Sequence, residues 1–239
     1  VTHEPFESLR FGRVLFVELA PPESGRPDRY ADVLGPDSRP PSRAHFSAPE
    51  AASRVILAAL ERGAAVDAVV LGGAGDPLRH RGLGSVLRSL RTRSHVATVV
   101  LTDGRLLVDR QVRRDASEAA LVVAWLPALV DASAPGDPRR RADAWEKHVE
   151  AVASLVREHP VPVALELPVR PGENDGAASR DAWRRAVERV RPERVFVVPA
   201  PGSGGDAEIG SALERVRGDL PRRAGVFLDD GTVVDRRAF

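Results

Sequence analysis

Not one of the 239 residues is a cysteine. That single absence excludes disulfides, thiolate zinc sites, a cysteine nucleophile and cysteine-held iron–sulfur clusters, and it leaves the redox compartment unmarked. Aromatic residues make up 5% of the chain, and 35 basic residues stand against 34 acidic ones for a net charge of +1. No global field draws the chain to nucleic acid, and few rings are available to stack on bases. Lys147 is the sole lysine, so no G-x-x-x-x-G-K-[ST] phosphate loop exists. The abundance of Arg, Ala, Gly and Pro is what GC-rich coding produces, and the runs Arg139-Arg140-Arg141 and Arg222-Arg223 read as solvated loop charge. No apolar run approaches the roughly 20 residues of a membrane span, and no signal-peptide pattern is visible. The expectation is a soluble, cytoplasmic globular protein.

What is present is an alternation. Six short runs rich in Val, Leu, Ile and Ala (13–19, 68–71, 97–102, 120–126, 161–169 and 194–198) read as buried parallel strands. Residues 49–62, 83–90, 108–116, 142–158 and 179–190 carry apolar residues at helical spacing with charge on the other face. Repeated βα units of this kind suit a partial or closed barrel or a doubly wound sheet, with the working face at the C-terminal strand ends. Polar and glycine-rich residues gather there, at 72–76, Asp103, Gly104, Asp131, Glu166 and 172–175. Residues 20–47 form a long proline-rich connection without periodicity, a length that usually means function or mobility. The tail from 201 to 239 reads as an extension of the 1–200 body, with a helix near 208–217 and a strand pair around 225–234 turning at Asp229-Asp230-Gly231.

The order of motifs resembles the radical S-adenosylmethionine (radical SAM) superfamily, in its short single-domain, wyosine-synthase-like branch. After the first strand, Phe16-Val17-Glu18-Leu19-Ala20-Pro21-Pro22 leads into a loop in which Gly25, Arg29 and Asp32 stand at the C-x-x-x-C-x-x-C positions. Leu71-Gly72-Gly73-Ala74-Gly75-Asp76-Pro77 is similar to the family's G-x-G-E-P segment, and Thr102-Asp103-Gly104-Arg105-Leu106-Leu107 to its T-N-G-x-L-L turn. Pro127-Ala128-Leu129-Val130-Asp131-Ala132 looks like P-S-L-D-A with one residue added, and Val169 to Asp175 like a V-x-G-x-N-D ending. The similarity runs from about Phe11 to Pro199. It implies a partial (β/α)6 TIM-like barrel. It also implies S-adenosylmethionine as the ligand, bound by Gly72, Gly73, Gly75, Asp76, Asp103, Asp131, Glu166 and Asn174.

The cluster chemistry does not survive in this chain. A four-iron cluster takes soft thiolate ligands, whereas Gly25 has no side chain, Arg29 is cationic and Asp32 offers one hard carboxylate. The leading expectation is a radical SAM-like pseudoenzyme that holds a S-adenosylmethionine-like ligand or a protein partner, without an iron–sulfur cluster. A second reading makes it an active enzyme in which Asp76, Asp103, Asp131, Glu166 and Glu18 hold a hard cation such as magnesium. A third makes it a tRNA-binding accessory protein using Arg139 to Arg141, Arg184, Arg185, Arg222 and Arg223. A dinucleotide reading of Gly73-Ala74-Gly75 fails because the third glycine position of G-x-G-x-x-G is Leu78. The six histidines show no i, i+4 pair; His80, following Asp76-Pro77, reads as a loop histidine with local hydrogen bonds. Ser24 has no neighbouring base to make it a nucleophile.

Overall fold

The computed structural model describes residues 1–8, 10–22, 41–62, 65–128, 137–200, 206–221 and 225–228. Positions 25, 29, 30, 32 and 131 lie outside them, as does the Asp229 to Gly231 turn. The strands are β1 (Phe6–Ser8), β2 (Gly12–Val17), β3 (Ala68–Leu71), β4 (Ala97–Thr102), β5 (Leu121–Trp125), β6 (Val163–Val169), β7 (Arg194–Pro199) and β8 (Gly225–Leu228). The helices are α1 (Pro49–Glu61), α2 (Leu83–Arg93), α3 (Arg110–Ala116), α4 (Pro138–Glu158), α5 (Ala177–Val190) and α6 (Asp206–Asp219).

The strands form one sheet in the order 1 to 8, with β1 antiparallel to β2 and every other neighbouring pair parallel. The sheet curls into a half-barrel, as the alternation of strand and helix implies. β2 to β7 are the six strands legible in the sequence. β1 was not foreseen, because three residues are too few to show a period. In the tail, α6 covers the expected helix, and residues 225–228 form a strand parallel to β7, while the rest of the expected strand pair lies outside the described residues.

Side chains alternate across each strand, so two apolar layers arise from one sheet. Leu15, Val69, Val100, Leu165 and Val197 pack outward under the helices. Phe16, Val70, Val99, Leu101, Phe196 and Val198 fill the inner face. α4 starts four residues before the periodic stretch, because Asp137 accepts the Arg139 N–H at 2.9 Å and Pro138 occupies the first helical position. Arg139 to Arg141 are therefore the first turn of a helix, not a loop, and Arg141 is buried. Two buried indoles fix the exit of β5: Trp183 donates to Leu126 O at 3.2 Å and Trp145 to Pro127 O at 3.1 Å. Burying an indole leaves its N–H in need of an acceptor, and the bare carbonyls beyond the strand end supply it. Among the described residues no helix is long and apolar enough to cross a membrane.

Candidate functional site

The glycine loop leaves β3 at Gly72, whose N–H donates to Val17 O at 3.1 Å and so extends the pairing with β2. Gly73 follows with φ +104°, a conformation other residues rarely hold, and a Cβ there would run into the Glu18 carboxyl group. At Gly75 a Cβ would run into the carbonyl oxygens of Ala20 and Pro21. The family resemblance implied that these glycines lie against a bound ligand. The space beside Gly73 and Gly75 is taken by this chain's own first-strand extension.

Asp76 closes the loop. Its Oδ1 accepts the Leu78 N–H at 2.7 Å, capping the single 3₁₀ turn Pro77–Arg79. Its Oδ2 accepts the Thr102 hydroxyl at 2.7 Å and the Asp103 N–H at 2.9 Å. A buried carboxylate with several donors is well satisfied. Asp76 thus ties the end of β3 to the end of β4.

Asp103 is 2% exposed and accepts from the Arg105 N–H at 3.0 Å, Nε at 2.9 Å and a terminal nitrogen at 2.7 Å. Burial works to raise its pKa, but the attached guanidinium outweighs that and holds the carboxyl below the usual value. Beneath this turn His148 donates from Nε2 to Trp125 O at 2.9 Å. Its ring lies so close to Gly104 that a Cβ there would come within 2.6 Å of Cε1. Burial, assisted by Arg105, lowers the His148 pKa against the opposing pull of Trp125 O and Asp103.

Glu166 faces the inner side of β6 and pairs with Arg10, both side chains being 8% exposed. Arg10 comes from the β1–β2 turn, its guanidinium 5.4 Å from the Phe196 ring centre, while neighbouring Phe11 meets the same ring edge-on at 6.0 Å. The hairpin crosses the inner face and covers its lower part with two side chains. Asn174 staples the turn after β6, accepting Arg170 N–H at 2.7 Å and donating to Pro168 O at 2.9 Å. Asp175 beside it accepts Gly172 N–H at 2.8 Å and pairs with Arg215 of α6.

The curl therefore brings Gly72, Gly73, Gly75, Asp76 and Asp103 together at adjacent strand ends, while Glu166 lies across the inner face and Asn174 in its own turn. Glu18 is more open than these: its side chain is 30% exposed with His3 Nε2 3.7 Å away. Among the described residues no three or more His, Asp or Glu side chains are placed to share a metal ion. Arg184 and Arg185, 41% and 53% exposed, form surface ion pairs with Asp181 and Glu188. Arg10, Thr102 and His148 were missed as site residues; Thr102 stood inside a quoted motif, but nothing local marks an arginine whose partner is 156 positions away.

The donor set does not fit an iron–sulfur cluster. The whole sequence offers no thiolate, and a cluster selects soft sulfur over the available carboxylates. Toward S-adenosylmethionine the fit is partial: the approaches beside Gly73 and Gly75 are occupied and most of the described carboxylates engaged, while Glu18 keeps an accessible carboxylate.

No protein-family model matches the sequence. One curated relative, the GTPase Obg of Brachyspira hyodysenteriae, is 22% identical over 204 residues, covering 82% of this chain and 29% of its own length. Among solved structures, a radical SAM methyltransferase from Sphaerobacter thermophilus aligns with a TM-score of 0.55 at 19% identity, over 78% of this chain and 60% of that one. TYW1 with a lysine-pyruvate adduct aligns at 0.56 and 13% identity, over 87% and 74%. A domain of pyruvate-formate lyase-activating enzyme from Bacteroides vulgatus aligns at 0.51 and 12% identity, over 68% and 98%. The chain has the fold of the radical SAM enzymes, in a form without a single cysteine.

Proposed function

We propose that this chain is a non-radical pseudoenzyme in which the half-barrel serves as a scaffold for a protein partner. One observation carries the reading: the polar groups at the strand ends are spent on internal ties, Asp76 to β4, Asp103 to Arg105, Glu166 to Arg10 and Asn174 to its own turn. Such groups hold loops in place; they are not poised to move protons or bind charge on a substrate. Anaerobic reconstitution with iron and sulfide, followed by calorimetry with S-adenosylmethionine, tests it. The expected result is no cluster absorbance and no binding heat at millimolar ligand. Cluster assembly, or sub-millimolar binding, overturns it.

A second reading keeps a S-adenosylmethionine-like ligand at the mouth. It draws on Glu18, a partly exposed carboxylate beside the positive-φ Gly73 at the end of β2. If the ligand binds, Glu18→Gln weakens it at least tenfold, whereas Asn174→Ala leaves affinity unchanged and lowers only stability.

A further inference from the structure

The chain returns to the glycine loop in a strap, residues 43–47, that runs along the far side of the Asp76 turn. Ala44 donates its N–H to Arg79 O at 2.9 Å and accepts from Arg81 N–H at 3.0 Å. Arg43 donates to Leu78 O at 3.0 Å, His80 O at 3.2 Å and Asp115 of α3 at 2.6 Å. Phe46 lies under the Arg79 guanidinium, 5.2 Å from ring centre to carbon. Arg79 in turn donates to Pro21 O at 2.6 Å.

His80 is the hub of this strap. It is 0% exposed, and its Nδ1 accepts the N–H of Gly82, the residue ahead of α2, at 2.9 Å. With Nδ1 accepting, the ring proton sits on Nε2, which donates to Ser47 Oγ at 3.2 Å. One imidazole therefore joins the loop, the start of α2 and the strap. We propose that His80 is a proton-operated latch: a second ring proton sets Nδ1–H against Gly82 N–H, and strap 43–47 and the first turn of α2 come away from the glycine loop.

The surroundings oppose a second ring proton while the strap is closed. Burial is the main cause that holds the His80 pKa below its ordinary value; His45 and Arg43 of the strap add to it, against a contribution from Ser47. Arg79 and Arg81 flank the ring along the chain, and Asp115 faces it only through Arg43, which it neutralises in part. The α1 side presents Pro49, an uncharged contact at Gly82.

Amide hydrogen exchange of the full chain at pH 7.5 and 5.5, corrected for intrinsic rates, tests this. Peptides covering 43–47 and 80–86 are expected to lose protection by about tenfold for each pH unit below about 6.5, relative to β4. His80→Asn, whose side-chain oxygen still accepts Gly82 N–H but does not titrate, is expected to abolish that pH dependence, and His148→Asn to leave it intact. Equal protection of the strap at both pH values overturns the latch, as does an unchanged acid response in His80→Asn. Should that variant not fold, ring ¹⁵N shifts of the wild type decide: His80 protonation must coincide with loss of strap protection, and titration with the strap intact overturns the proposal.

Discussion

The carboxylate of Asp76 and the hydroxyl of Thr102, 26 positions apart, are joined by a 2.7 Å hydrogen bond inside the protein. Thr102 Oγ1 also accepts the Gly104 N–H at 3.0 Å, so a single hydroxyl passes the tie from the β3 loop to the β4 turn. Removing the hub strands several buried donors at once. Asp76→Ala is expected to cost about 3 kcal/mol and Thr102→Val about 1–2 kcal/mol. Urea unfolding checks both, and the double variant is expected to fall short of the sum, because the two changes delete the same bond. Strict additivity would show that the bond contributes nothing.

Arg10 and Glu166 form an ion pair on the inner face that is almost fully shielded from water. Losing one partner removes a shielded counter-charge from the other, so Arg10→Met and Glu166→Leu are each expected to cost about 3–5 kcal/mol, while the double variant stays within about 1–2 kcal/mol of wild type. A double-mutant cycle by chemical denaturation measures this. If Glu166→Leu alone is well tolerated, the pair is not the seal on the inner face.

His80 and His148 are both buried and held neutral, with pKa values lowered chiefly by burial. For a histidine lowered in the folded state the stabilising preference is complete above the unfolded value of about 6.5. It is lost as pH falls from there toward the folded value, at up to about 1.4 kcal/mol per pH unit for each ring. Asp103 and Asp175, both lowered, act in a separate window below their ordinary 3.8. Melting temperature is expected to fall in two steps on acidification, the first beginning near pH 6.5. His148→Asn is expected to flatten the first step in part; a single step below pH 4 would contradict the assignment.

Arg215 of α6 reaches the largely buried Asp175 in the turn after β6, and Arg180 of α5 donates to Asp219 at 2.6 Å. Burial works to raise the Asp175 pKa, and Arg215 with the Gly172 N–H reverses that. Arg215→Ala is expected to cost about 1–2 kcal/mol at neutral pH, from a buried carboxylate left short of a donor. It should also move acid unfolding to higher pH, because Asp175 then protonates sooner. Acid titration followed by circular dichroism reads the shift.

The six central strands and the face that carries the loops were legible because burial on both sides of a parallel sheet demands near-continuous apolar runs. β1 and the first turn of α4 were not. The former is fixed only by pairing with β2, and the latter by one aspartate cap ahead of an arginine run that looks like loop charge. At the site, the motif order singled out Gly72 to Asp76 and Asp103, which the fold sets side by side at the ends of β3 and β4. The motifs said nothing about what those residues touch: the spaces beside Gly73 and Gly75 are filled by Glu18, Ala20 and Pro21, from more than fifty residues upstream.

Composition by itself decided that no thiolate of this chain holds a metal, since a side chain that is not encoded cannot ligate in any fold. Periodicity by itself decided the succession of strands and helices, because burial of one helix face and of both strand faces is a local demand on residue type. Only the curled sheet decided how the strand-end polar groups are used. Asp76 meets Thr102, and Glu166 meets Arg10, because tertiary packing removes these groups from water and each must then find its partner wherever the chain brings one.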